Sequence, residues 1–181
     1  MRMKRFLAAG AAFGCGFMIA AKITQGRSGW LIPWPVASSA LHPTTAVVLL
    51  VSPGCGACND PSLPLAWAEI VRNVAAQQQE PYRIGVVSSP LPGEGLTFLR
   101  QFGEFHEVLA GGGWAGVGSL HFLFRELSGP PAVPQVIVLE RLVTRETKGV
   151  SVDERVVQRR VGLEEILSWA EELKIRRKQP P

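Results

Sequence analysis

The chain has 181 residues, 46% of them hydrophobic, which is one domain's worth with enough apolar content to bury a core without covalent staples. The formal charge of +4 is a matter of position: Arg2, Lys4, Arg5 and Lys22 stand in a stretch without acids, and of the 19 basic residues they leave 15 to balance 15 acidic ones. A body with no basic excess argues against a nucleic-acid partner.

Residues 6–21 (FLAAGAAFGCGFMIAA) form an uncharged apolar run behind the basic stretch Met1–Arg5, the arrangement of an export signal. The positive end should stay in the cytoplasm, which sends everything after Lys22 across the membrane. The run falls short of the roughly 20 residues of a relaxed span, but Lys22 can snorkel and Ile23 extends it. Residues 1–23 are therefore read as a signal anchor; a cleaved signal and a lipid-modified Cys15 are the alternatives. Residues 24–43, rich in Gly, Ser and Pro, read as a linker in which Trp30 and Trp34 either meet the lipid interface or pack on the domain.

A domain is expected over residues 44–178. Residues 46–51 (AVVLLV) suit a strand buried on both faces. Residues 65–79 carry Leu65, Ala68, Ile70, Val71, Val74 and Ala75 on a helical stripe, and residues 82–87 (YRIGVV) read as a second strand. Strand, helix and strand in so short a span make a βαβ unit with parallel pairing. A helix is expected over 95–109, a Gly-rich loop over 110–118 and a short helix over 119–127. Pro130, Pro131 and Pro134 punctuate the approach to a strand at 135–140 (QVIVLE), whose antiparallel partner is expected at 153–161 beyond a polar turn region. Gly162 breaks that strand, and 163–175 closes the domain as an amphipathic helix with Leu163, Ile166, Leu167, Ala170 and Leu173 on one face and basic residues at its end. The fold class is α/β: a central mixed sheet flanked by helices.

Between the first strand and the first helix stands VSPGCGACND, with Cys55 and Cys58 separated by Gly56 and Ala57. In an open α/β sheet this is where chemistry is placed, outside the carboxyl end of a strand. Structural zinc needs a second local pair of ligands; His42, His106 and His121 are isolated from one another in sequence, and the remaining cysteine lies in the leader. Haem attachment requires a histidine directly after the second cysteine, where Asn59 stands. A purely structural disulfide across two residues would close a tiny loop and remove little unfolded-state entropy. A redox-active dithiol remains: a cysteine at a helix N-terminus meets unsatisfied N–H groups that favour the nucleophilic thiolate.

The strand, the Cys55-Gly56-Ala57-Cys58 motif, the helix, the second strand, Val133-Pro134 before QVIVLE, a hairpin partner and a terminal helix together resemble the thioredoxin superfamily over residues 44–174. The leader and the exported dithiol are similar to its membrane-tethered TlpA and ResA branch, and SPGCGAC also resembles the MauD-like proteins. The resemblance implies catalytic roles for Cys55 as the exposed attacking thiol and Cys58 as the buried resolving thiol. It implies a cis peptide before Pro134, with Val133 offering backbone groups to a substrate chain. It further implies a thiol:disulfide oxidoreductase without a cofactor, held in the bacterial inner membrane by a single pass with its domain in the periplasm. Its partners would be cysteine-bearing client proteins, a membrane redox partner and the lipid bilayer. Copper delivery through the dithiol, or a non-catalytic binding module, are the other expectations to weigh. Two features depart from the family pattern. Gly54 replaces the usual Trp before the first cysteine, and the first strand carries no acid, which leaves water, Glu107 or Glu140 as proton acceptors for Cys58.

Overall fold

Strand β1 (Thr44–Val51) runs through the middle of a five-stranded mixed sheet of order β3-β2-β1-β4-β5. The other strands are β2 (Tyr82–Val87), β3 (Glu107–Ala110), β4 (Gln135–Glu146) and β5 (Gly149–Val161). The computed structural model describes residues 44–77, 80–125, 131–146 and 149–178, all within the unit Ser38–Pro181. The leader and linker expected at 1–23 and 24–43 lie outside the described residues. Among the described residues no helix is long and apolar enough to cross a membrane.

β1 pairs in parallel with β2 and antiparallel with β4, so both its edges and both its faces are covered, as its unbroken apolar run requires. Val47, Leu49 and Val51 face one core with helices α1 (Ser62–Gln77) and α3 (Leu163–Lys178). Ala46, Val48 and Leu50 face the other, where Phe122 and Leu123 cover Ile84, Val86, Ile137 and Leu139. The two helices on the first face are tied by Asn73, whose buried amide donates to the Leu173 carbonyl at 3.2 Å, and by the Arg177–Glu69 ion pair at 3.0 Å.

The α1 face differs from the expected stripe. The helix begins at Ser62, because Asp60 accepts from the Ser62 backbone N–H at 2.9 Å and caps the first turn. Leu63, Ala66, Trp67, Ile70 and Asn73 are the buried positions, while Leu65 is 74% exposed and Ala68 is exposed too. On α3 the buried set is Ile166, Trp169, Ala170 and Leu173.

The helix expected over 95–109 is two elements. Helix α2 (Pro92–Leu99) tightens into a 3-10 turn (Arg100–Phe102) and stops at Gly103, whose φ of 93° is a left-handed backbone conformation that glycine adopts without penalty. Residues after it turn back, and Glu107–Ala110 becomes β3, a parallel edge strand on β2. The chain then returns over the second face as a helical turn at Val117–Ser119, continued by a π-type turn at Leu120–Arg125. Gly118 permits the close approach there: a Cβ would sit 2.7 Å from Leu109 and 2.8 Å from Val86.

The hairpin is longer than expected, since the polar stretch placed in a turn is strand to Glu146 on one side and from Gly149 on the other. Several of its charged residues are paired. Arg141 bridges Glu107 at 2.9 Å and Glu154 at 3.1 Å, and His121 meets Glu154 at 2.7 Å. Together with Leu109, Val117, Leu120 and Phe122 they line a cavity of about 300 Å³ on the second face.

Candidate functional site: the Cys55–Cys58 loop

The loop leaving β1 is bent by its own backbone: the Cys55 N–H donates to the Ser52 carbonyl and the Cys58 N–H to the Cys55 carbonyl, both at 3.1 Å. Gly56–Asn59 forms one 3-10 turn with Cys55 as its N-cap, in extended conformation. Asn59 fixes the loop from behind, its amide donating to the carbonyls of Pro53 at 2.9 Å and Cys55 at 2.7 Å. Two hydrogen bonds from Ser62, side chain before backbone, hold the neighbouring Asp60 carboxyl below its ordinary range.

Both thiols are free, and they differ in environment. Cys58 is 0% exposed and belongs to the first core with Leu63, Trp67 and Ile70, whereas Cys55 is half-buried at the edge of that core. The Cys55 sulfur accepts from the Cys58 backbone N–H at 3.3 Å and donates to the Val133 carbonyl at 3.3 Å. Burial pushes the Cys58 thiol well above the ordinary thiol value; the hydrogen bond and charge of Cys55 push the same way, and a backbone hydrogen bond with Ser52 opposes them.

This shift makes a testable statement about stability. Above the ordinary value of 9.0 the unfolded chain has lost the Cys58 proton while the folded chain keeps it, so the unfolded state binds fewer protons and stability falls with pH. The contribution is full below that value and is lost as pH rises toward the folded group's own titration, at up to about 1.4 kcal/mol per pH unit. Urea denaturation of the reduced protein across the alkaline range should show this slope, and a Cys58→Ala variant should lack it.

The residues picked out by sequence lie together. Val133 meets Cys55 through its carbonyl and is joined by a cis peptide bond to Pro134, which is buried and whose carbonyl accepts from the Gly162 N–H at 2.8 Å. Gly56 is exposed and Ala57 half-buried in the turn between the cysteines. Gly54 is exposed with nothing within 4 Å of a Cβ built on it, so the approach to Cys55 on that side is open.

Two candidate proton acceptors point elsewhere. Glu107 is held by Arg141 on the second face of the sheet, and Glu140 is paired with Arg155 at 2.6 Å on the surface of the hairpin. Beyond burial itself, Cys55 and Ser52 are what shift the Cys58 thiol among the described residues. The histidines of the domain are engaged elsewhere as well. His106 accepts from the Arg83 N–H at 2.9 Å and stacks on Tyr82, and His121 pairs with Glu154. Among the described residues no group of three or more His, Cys, Asp or Glu is arranged to hold a metal ion.

Sequence reasoning missed Asn59 and Gln135. Gln135 is 0% exposed, donates to the Ala132 carbonyl and accepts from Arg159 Nε at 2.9 Å. Its signal was present: a lone amide heading an otherwise apolar strand. Comparison with family models, curated proteins and solved structures finds no match to this chain.

Proposed function

We propose that the chain is a thiol:disulfide oxidoreductase with a thioredoxin-like domain, exported and tethered by its first 23 residues, that exchanges electrons with cysteines of client proteins. The observation that carries the reading is the inequality of the two thiols. One is half-buried and hydrogen-bonded to a loop carbonyl, and the other is sealed in the core one turn later. A structural crosslink has no use for that difference, but an attack-and-resolve cycle does. The five-stranded mixed sheet with helices on its faces supports the fold assignment. The tethering rests on the sequence of the leader, where the charge imbalance is concentrated.

In the reducing direction, the Cys55 thiolate attacks one sulfur of a client disulfide. The client S–S bond breaks, an S–S bond to Cys55 forms, and the departing client thiolate takes up a proton. Cys58 then gives its proton to solvent, its thiolate attacks Cys55 Sγ, and the second client sulfur leaves as a thiolate and is protonated. Two electrons have passed from the protein dithiol to the client, and a Cys55–Cys58 disulfide remains. The oxidising direction is the same sequence reversed. Binding uses the Val133 backbone: an extended client segment lying along residues 132–134 pairs with it as an added strand. The test is whether the two single-serine variants of the pair behave differently toward a disulfide client. Identical behaviour contradicts the reading.

A further inference from the structure

The side chains that hold the loop against Cys55 come from both strands of the hairpin, Gln135 from β4 and Arg159 from β5. Gln135 is the first residue of β4, paired with Leu50 on one side and Val161 on the other. Ile137 and Leu139, which follow it on the same face, belong to the second apolar core. An apolar side chain would satisfy burial there, whereas a fully buried amide is costly unless each end is paired. Both ends are. The amide nitrogen donates to the Ala132 carbonyl and the amide oxygen accepts from Arg159 Nε at 2.9 Å. Ala132 is followed directly by Val133, whose carbonyl accepts from Cys55 Sγ at 3.3 Å. A continuous chain of polar contacts thus runs from Arg159 on β5 through Gln135 and the 132–133 backbone to the attacking sulfur.

We infer that Gln135 and Arg159 are positioning residues that set the 132–134 loop at the height over Cys55 at which a client backbone docks. The inference rests on the thiol:disulfide reading above and adds to it which side chains govern client binding as opposed to thiol chemistry. Such residues act on a docking surface that a small reagent does not use. They should therefore change KM for a chain-like substrate and leave the intrinsic reactivity of the sulfur in place.

The experiment compares two disulfides with the reduced protein: a peptide containing an intramolecular disulfide, and dithiobisnitrobenzoate, which needs no backbone docking. In Gln135→Glu the acceptor for Arg159 is kept and the donor to Ala132 is lost. In single turnover with excess peptide, the apparent second-order rate constant should fall about five- to tenfold, the size of one hydrogen bond, with the loss in the half-saturating peptide concentration KM. Dithiobisnitrobenzoate should react within about twofold of the parent rate, since the sulfur itself is untouched. Arg159→Met, which frees the other end of the amide, should give the same split and serves if the first variant does not fold. Equal loss with both probes, or an unchanged KM for the peptide, overturns the inference and leaves the amide a support of the core. A parent protein inert to both disulfides overturns the exchange reading itself, and the positioning role with it.

Discussion

Replacing Cys58 with Ser should turn the protein into a trap: disulfide-linked adducts with client proteins accumulate on non-reducing gels, while Cys55→Ser gives none. The reason is the placement of the two sulfurs. Cys55 is the half-buried member and keeps its contacts to Val133 in the variant, so attack on a client proceeds. Escape is what fails. In the parent the Cys58 thiol is held in the same 3-10 turn, and a neighbour so placed acts at effective concentrations of about 10⁵ M or more. A serine hydroxyl cannot replace it, and resolution by external thiols at millimolar levels is slower by several orders of magnitude on the same scale. Mass spectrometry of the trapped species should locate the bond on Cys55. Equal trapping by both variants would overturn the division of labour.

The largest loss of stability is expected from Trp67→Ala. Trp67 is 2% exposed, its ring stacks on Phe105 at 5.8 Å between centroids, and it shares the first core with Cys58, Leu63 and Ile70. Truncating a buried aromatic of this kind costs about 3–5 kcal/mol, through lost transfer energy and the cavity left behind. Set against total stabilities of about 5–15 kcal/mol, that is enough to leave much of the domain unfolded at the low end of the range. Denaturant unfolding of parent and variant measures it. A loss under about 1 kcal/mol would mean that the cavity collapses and that the core around Cys58 is not tightly packed.

What could be read from the sequence follows from how local each signal is. β1 and the start of β4 announce themselves because a strand buried on both faces is an unbroken apolar run, and the order of strands and helices bounded the sheet to a mixed one. β3 was hidden, since Glu107–Ala110 continues the helical periodicity that begins at Gly95. Its strand state depends on Gly103 and on pairing with β2, which lies more than a helix away in sequence. The α1 stripe differs from the expected one in phase: Leu65 falls on the apolar periodicity, but Asp60 sets the first turn and Leu63 takes the inward place. The cysteine pair stands out because its chemistry narrows the residue types, whereas Val133-Pro134 comes only through the family resemblance and not from any local pattern. The Gln135–Arg159 contact was not legible, because it joins residues 24 apart through a register that only the folded hairpin defines.

The central claim is that Cys55 and Cys58 form one reversible two-electron couple, and the most direct measurement is equilibration of the Cys15→Ser protein, in which these are the two remaining cysteines, over a series of reduced-to-oxidised dithiothreitol ratios, followed by acid quenching, alkylation and intact mass. Each exchange consumes one protein dithiol and one cyclic disulfide and returns one of each. The account predicts that doubly alkylated and unalkylated protein interconvert directly, along a curve on which a tenfold change in ratio corresponds to about 30 mV. Domain molecules that remain doubly alkylated at every ratio, or that pass through a dominant singly alkylated form, would contradict it.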